Sequence, residues 1–143
     1  MLQVHGTSIV WKNAALLLCG PSGSGKSDLA LRLVEAGGGL IADDRTLLEI
    51  QEGLLIASAP PPIAGLLEIR GIGIVKVAST PPTALELVVD LVQPEAVARM
   101  PEKACCAYLG ITLPRVFIAP FEGSAMVKLR YAIEAARNDG RAA

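Results

Sequence analysis

The chain is 143 residues long, carries a formal net charge of −1 and has a pI near 5.8. This balance argues against a nucleic-acid-binding surface, which usually needs a basic patch. No run reaches the roughly 18 apolar residues of a membrane span, and the first residues lack the basic and apolar regions of a signal peptide. We therefore expect one cytoplasmic domain over residues 1–143, without membrane or nucleic-acid partners.

The apolar content is high for a domain of this length. Hydrophobic residues make up 52% of the chain before glycine is counted, whereas about 45–50% with glycine included is typical. So short a chain cannot easily bury this excess inside itself. We expect part of it to lie in a subunit interface, and we predict a homo-oligomer.

The local patterns predict mostly strands, in the chain order 2–5, 8–12, 14–19, 40–42, 46–50, 54–57, 66–70, 72–77, 84–92 and 111–119. Two helices are predicted, over 27–36 and 124–138, the second with Ser124 as N-cap and Gly140 beyond its end. The first two strands, and the pair around residues 51–53, are expected to form hairpins. Residues 94–109 give no clear pattern.

The order of these elements indicates the fold class. Strands outnumber helices, and only the strand at 14–19 leads directly into a helix. This departs from the regular alternation of strands and helices in most nucleotide kinases. It predicts an α/β domain whose mixed, strand-rich β-sheet contains hairpins and carries few helices.

The segment between the strand at 14–19 and the following helix is the most informative motif. It consists of Gly20, Pro21, Ser22, Gly23, Ser24, Gly25, Lys26 and Ser27, and it fits the phosphate-binding pattern G-x-x-x-x-G-K-[ST]. Its glycines permit the backbone angles with which successive N–H groups enclose a phosphate, and the helix N-terminus adds a positive dipole. Lys26 would reach the β- and γ-phosphates, and the Ser27 hydroxyl would complete a Mg²⁺ shell. A glycine-rich turn without function is the weaker interpretation, because the flanking strand and helix stand in the required order.

Two adjacent carboxylates, Asp43 and Asp44, follow the predicted strand at 40–42. A metal-binding acid commonly stands at such a strand end in phosphate-loop proteins. Neighbouring side chains on extended backbone point to opposite faces, so one acid could face a metal and the other an acceptor hydroxyl. A solvent-exposed Asp-Asp turn is the alternative, and the phosphate loop in the same chain favours the functional interpretation.

Glu68 and His5 are further candidates. Glu68 lies inside a strongly apolar run, where burying an unpaired carboxylate would be costly. It is either a metal-side acid or the partner of Arg70 on an exposed face. His5, the only histidine, is either a polar strand residue or an active-site group, and the residues alone favour the former.

Four segments in this order and spacing resemble the catalytic domain of HPr kinase/phosphorylase, which acts on a seryl residue of the phosphocarrier HPr. They are residues 4–6, 20–27, 41–45 and 66–74. The last, Leu-Leu-Glu-Ile-Arg-Gly-Ile-Gly-Ile, is more specific than the phosphate loop. The resemblance implies a P-loop fold like that of HPr kinase and PEP carboxykinase, in a compact form without the N-terminal domain of many members. It also implies ATP and Mg²⁺ as cofactors, an HPr-like phosphocarrier as substrate, and a hexamer.

The resemblance also implies roles for individual residues. Asp43 would take the proton from the acceptor serine and return it during the reverse phosphorolysis. His5 would lie beside Asp43 and support its basicity. The resemblance also implies that Ser27, Asp44 and Glu68 surround Mg²⁺, directly or through water.

Lys26 and Arg99 are the cations that the resemblance implies at the transferring phosphoryl group. The chain departs from the family pattern before its last helix, where Pro-Phe-Glu-Gly-Ser at residues 120–124 replaces an arginine-containing loop. Two other functions remain open: a small-molecule kinase, which would need an arginine-rich lid that we do not find, and a nucleotide sensor without turnover.

Overall fold

A computed structural model of the chain describes residues 1–142, with the side chains of residues 1–138. The strands are β1 Leu2–His5, β2 Thr7–Trp11, β3 Ala14–Cys19, β4 Gly39–Ala42, β5 Arg45–Gln51, β6 Leu54–Ser58, β7 Leu66–Ile69, β8 Gly73–Lys76, β9 Thr83–Leu91, β10 Ala104–Tyr108 and β11 Ile111–Ile118. The helices are α1 Lys26–Glu35 and α2 Ala125–Ala142, and short 3₁₀ turns occupy Pro61–Ile63 and Pro94–Ala96. Within the described part of the chain, neither helix is both long and apolar enough to cross a membrane.

Strand β9 is the centre of the sheet. Its beginning pairs antiparallel with β6, and the rest runs parallel to β3 on one side and to β11 on the other. From β9 the sheet continues through β6, β5 and β1 in one direction and through β3, β2 and β4 in the other, while β10 pairs with β11. Strands β7 and β8 form a separate two-stranded sheet. The predicted mixed, strand-rich sheet is therefore confirmed.

The alternation of side chains along β3 explains why both faces of the sheet are covered. Leu16 and Leu18 face a cluster that includes Leu29 and Leu33 of α1, together with residues of α2. Leu17, between them, faces a second cluster made by the other half of the sheet, which includes residues of β5 and β6. Every side chain of β3 from residue 14 to 18 is at most 2% exposed. This strand is consequently held from both sides, and the phosphate loop begins at its end.

The predicted hairpin of residues 2–5 with 8–12 is wrong. Strand β1 pairs with β5, whereas β2 pairs with β3 and β4. One residue, Gly6, separates β1 from β2, which is too short for a reversal because common hairpin loops need at least two residues. The chain instead passes from one part of the sheet to another, and the Gly6 N–H donates to the carbonyl of Asp44 at 2.9 Å.

Other elements agree more closely with the predictions made from the sequence. The hairpin of β5 and β6 is confirmed, and its turn residues Glu52 and Gly53 both have positive φ, 51° and 77°, as a type I′ turn requires. Helix α2 extends to Ala142, so Gly140 lies within the helix and not beyond its end as predicted. Strand β10 lies in the segment that gave no clear pattern.

The packing of α1 on the sheet makes a stability prediction. Leu33 is fully buried in the cluster between α1, α2 and β3, so Leu33→Ala should lower the free energy of unfolding by about 2–5 kcal/mol. Leu54→Ala, at a position that is 54% exposed, is the matched control and should lower the free energy of unfolding far less. Urea denaturation followed by circular dichroism measures both, and equal losses would contradict the described packing.

Candidate functional site

The phosphate loop connects the end of β3 to the start of α1. Gly25, the residue before the helix, has φ 104° and ψ 13°, a left-handed conformation that favours glycine. A Cβ added there would lie 2.9 Å from Cζ of Phe121 and 3.0 Å from Cγ of Pro120. A Cβ at Gly20 would lie 2.5 Å from the Ser24 hydroxyl oxygen. The loop conformation therefore depends on glycine at both positions, as the motif predicts.

Lys26 is the first residue of α1 and is only 7% exposed. Its ammonium donates to the carbonyls of Gly20 and Pro21, at 2.6 and 3.1 Å. The side chain thus bends back over its own loop. Phosphate oxygens held by the loop would compete with these carbonyls for the ammonium, which is the use that the motif predicts for this lysine.

Asp43 is buried, with 8% exposure, and both of its carboxylate oxygens are engaged. Oδ1 accepts from the Ser27 hydroxyl at 2.8 Å and from the Thr7 hydroxyl at 3.1 Å. Oδ2 accepts from the backbone N–H of Glu68 at 3.0 Å. One carboxylate therefore joins β2, α1 and β7 next to Ser27, the last residue of the phosphate loop.

Asp44 differs from its neighbour in exposure and partner. Its side chain is 58% exposed, and its Oδ1 lies 2.8 Å from Nε2 of His5. The residue has φ 65°, and this left-handed turn directs the two adjacent carboxylates to different surroundings. Its backbone N–H donates to the Thr7 hydroxyl at 3.0 Å.

The expected contact between His5 and Asp43 is therefore not found, because the imidazole contacts Asp44. The sheet pairing explains the difference. Strand β1 pairs with β5 so that His5 lies opposite Arg45, and the residue immediately before Arg45 is Asp44. Sequence patterns contained no signal for this pairing.

One cleft of about 630 Å³ is lined by many of the predicted groups, although His5 and Asp43 are not part of its lining. Its lining comprises Ser22, Gly23, Gly25, Lys26, Ser27, Asp28, Leu31, Asp44, Glu68, Ile69, Arg70, Gly71, Ile72, Gly73 and Phe121. The three predicted metal ligands are all among them. Clefts of roughly 300–1,000 Å³ are usual for small-molecule ligands, so the volume suits a nucleotide.

The oxygen donors of the cleft suit Mg²⁺. Among the described residues, no three His, Cys, Asp or Glu side chains lie close enough to hold a metal ion by themselves. Mg²⁺ at phosphate sites typically takes one or two carboxylates and completes its shell with waters and phosphate oxygens. Glu68, Asp44 and the Ser27 hydroxyl can supply that smaller set, so the residues present fit the ion.

The arginines are arranged differently from expectation. Arg99 lies on the exposed segment after the 3₁₀ turn Pro94–Ala96 and does not line the cleft. Arg70, interpreted from sequence as a surface partner of Glu68, lines the cleft at the turn between β7 and β8, and no ion pair joins it to Glu68 within residues 1–138. The signal for Arg70 was its position in the specific segment at 66–74.

Thr7 and Phe121 were also missed as site residues. Thr7 is fully buried, and its hydroxyl links the two adjacent aspartates by donating to one side chain and accepting from the other's backbone. The sequence patterns placed it in the turn of the expected hairpin, which gave no sign of this role. Phe121 reaches the cleft from the loop between β11 and α2, far from the phosphate loop in sequence.

The double contact of Thr7 leads to a prediction. Thr7→Val keeps the shape but leaves the Asp44 N–H without its acceptor and an oxygen of Asp43 with one donor fewer, so it should lower the free energy of unfolding by about 1–3 kcal/mol. Thr112→Val, at an exposed position of β11, serves as the control. Chemical denaturation compares the two variants, and a Thr7→Val protein as stable as the control would contradict the proposed link.

Comparison with known proteins adds independent findings. The family model described as the HPr Serine kinase C-terminal domain matches residues 1–141. Among curated proteins, the chain is similar to HPr kinase/phosphorylase of Clostridium tetani, 42% identical over 77 residues, and of Lactobacillus acidophilus, 40% identical over 98 residues. These alignments cover 54% and 63% of this chain but only 25% and 30% of the relatives. The chain thus matches less than a third of the length of these proteins.

A solved structure resembles the whole chain. It is described as the Hpr(Ser) kinase/phosphatase from Coxiella burnetii, and it matches with a TM-score of 0.83 and 25% sequence identity. The alignment covers 99% of this chain and 98% of that one. The predicted P-loop kinase fold, strand-rich with few helices, is confirmed by this match.

Proposed function

Because the chain belongs to the HPr Serine kinase C-terminal domain family, we propose that it transfers the γ-phosphoryl group of ATP to a serine hydroxyl of an HPr-like phosphocarrier protein. The observation that carries the proposal is a cleft lined by both the phosphate loop and the exposed Asp44, with the buried Asp43 bonded to Ser27 and His5 bonded to Asp44. Each of these has a separate use in phosphoryl transfer. The reverse reaction, phosphorolysis of the seryl phosphate, belongs to the same proposal.

Nucleotide binding is assigned to the loop at residues 20–27. Its backbone N–H groups would surround the phosphates, and Lys26 would exchange its carbonyl partners for β- and γ-phosphate oxygens. Ser27 and Glu68 would hold Mg²⁺, directly or through water. When bound, Mg²⁺ neutralises charge on the phosphates as the phosphoryl group moves.

The two aspartates suit different tasks. A general base must come within hydrogen-bond reach of the proton that it removes. Both oxygens of Asp43 already accept hydrogen bonds inside the protein, and one of them orients Ser27. Asp44 is exposed, and His5 orients it from one side. We therefore assign proton transfer to Asp44 and support of the metal site to Asp43, which exchanges the roles that the resemblance implied.

The role of His5 follows from its contact. The imidazole fixes one carboxylate oxygen of Asp44 and leaves the side chain facing the cleft. A serine hydroxyl is a poor nucleophile at neutral pH, so a carboxylate held in this position has a definite task. In phosphorolysis the same carboxyl would return a proton to the serine.

Substituting each aspartate in turn tests which one transfers the proton and which one supports the metal site. Asp44→Asn should lower kcat for transfer by about 10²–10⁴-fold while Mg-ATP binding persists. Asp43→Asn should weaken Mg-ATP binding as well, because an amide nitrogen replaces an oxygen that accepts from Ser27 or Glu68. The assay uses γ-labelled ATP, purified protein and the host's HPr-like protein, with mass spectrometry to locate the modified residue.

The outcome can contradict the proposal at two levels. Near-normal transfer by Asp44→Asn, together with loss of transfer but retained binding in Asp43→Asn, would restore the assignment implied by the resemblance. Label on a metabolite and not on the protein would indicate a small-molecule kinase. Saturable ATP binding without any acceptor would indicate a sensor.

The arginines allow a second comparison. Arg70 borders the cleft beside Glu68 and is better located than Arg99 to face charge on the transferring group. Arg70→Ala should lower kcat about 100-fold, whereas Arg99→Ala should leave it nearly unchanged. Steady-state kinetics with saturating ATP measures both, and the opposite result would return the role to Arg99, which stays a sequence-based candidate.

The homo-oligomer, with a hexamer as the form implied by the resemblance, also stays a proposal. Several large apolar side chains are strongly exposed in one copy of the chain, among them Ile72, Ile74, Val127 and Tyr131, at 75%, 70%, 52% and 58%. Such surface is often covered in an assembly.

A further inference from the structure

Phe121 is an exposed aromatic residue at the rim of the phosphate cleft. Its side chain belongs to the loop between β11 and α2, is 68% exposed, and lines the same cleft as residues of the phosphate loop. The parts of the site proposed above account for phosphates, metal and acceptor hydroxyl. None of them accounts for a large ring presented to solvent beside the phosphates.

The position of this ring is fixed relative to the phosphate loop. The space above Gly25 is filled by the ring and by Pro120, since a Cβ on that glycine would lie 2.9 Å from Cζ of Phe121. The carbonyl of Pro120 accepts a hydrogen bond from Nη2 of Arg32 at 2.6 Å. Arg32 belongs to α1, the helix that begins at Lys26. The loop that carries the ring therefore contacts both the phosphate loop and α1.

The topology gives the direction in which a nucleotide would lie. Strand β3, which leads into the loop, has β2 and then β4 on one side and β9 and then β11 on the other. The acids Asp43 and Asp44 follow β4, so the β- and γ-phosphates and the metal belong to that side. Phe121 follows β11, on the opposite side. The end of the nucleotide remote from the γ-phosphate is its base.

We propose that Phe121 forms the base subsite of the nucleotide site, with its ring stacked on the aromatic base of the bound nucleoside triphosphate. This inference rests on the proposed ATP-dependent function. Stacking depends little on which base is bound, because every base presents a π-face. The ring alone therefore favours a nucleoside triphosphate over a bare triphosphate, and distinguishes little between adenine and guanine.

The test compares ligands with and without a base. Isothermal titration calorimetry measures Mg-ATP and Mg-tripolyphosphate binding to the full chain and to Phe121→Ala. Loss of one stacking contact should weaken ATP binding about tenfold or more and leave tripolyphosphate binding within about twofold. Tyr131→Ala, at an aromatic position on α2 that is 58% exposed and outside the cleft lining, is the matched control and should change neither.

A second variant gives a direct signal. Phe121→Trp keeps a stacking surface, so it should retain ATP affinity, and ATP but not tripolyphosphate should quench its fluorescence. The only native tryptophan, Trp11, is 5% exposed and provides the background in the parent protein.

Each other outcome overturns the inference. Equal weakening of both ligands in Phe121→Ala would mean that the ring acts only on the shape of the phosphate loop. Unchanged ATP affinity with an altered sedimentation profile would make Phe121 an interface residue. A parent protein that binds ATP no better than tripolyphosphate has no base subsite, whereas one that binds neither ligand refutes the proposed function itself.

Discussion

The arrangement of the site depends on the carboxylate of Asp43. A buried carboxylate is tolerated only where donors compensate for its lost hydration, and three donors from three separate elements meet it here: hydroxyls from β2 and α1 and a backbone N–H from β7. Since α1 begins in the phosphate loop and β7 carries Glu68, the same carboxylate links the loop to Glu68, the proposed metal-side acid.

The sheet determines which groups can reach this point. Strand β3 is buried on both faces, so the loop at its end cannot shift without disturbing two hydrophobic clusters. Parallel pairing of β3, β9 and β11 brings the ends of these strands to one edge, where ligands of open α/β sheets usually bind. Antiparallel pairing of β1 with β5 then adds His5 from the opposite part of the sheet. The site thus combines the end of a parallel core with a residue from an antiparallel extension.

The sequence could predict the features that are determined by residues close together in the chain. The phosphate loop, β3, the hairpin of β5 and β6 and the acids after β4 all depend on residues within a few positions of one another. The pairing of β1 with β5 joins residues about forty positions apart, and no local pattern specifies a partner strand at that distance. For that reason the contact of His5 with Asp44, the burial of Thr7 and the approach of Phe121 to Gly25 emerged only from the structure. Arg99 was assigned by resemblance alone, and its loop does not bring it to the cleft.

The small sheet of β7 and β8 gives the site a less stable part. Two-stranded sheets are marginal in water when isolated, and this one meets the core through Leu67, which is fully buried, through Ile69, and through the N–H of Glu68. Native proteins open in cooperative segments, the least anchored first. The segment carrying Glu68 and Arg70 would therefore detach by subglobal unfolding while β3 and its loop stay intact. Under the proposed function, nucleotide binding and metal-dependent turnover would then be lost at different temperatures within one chain.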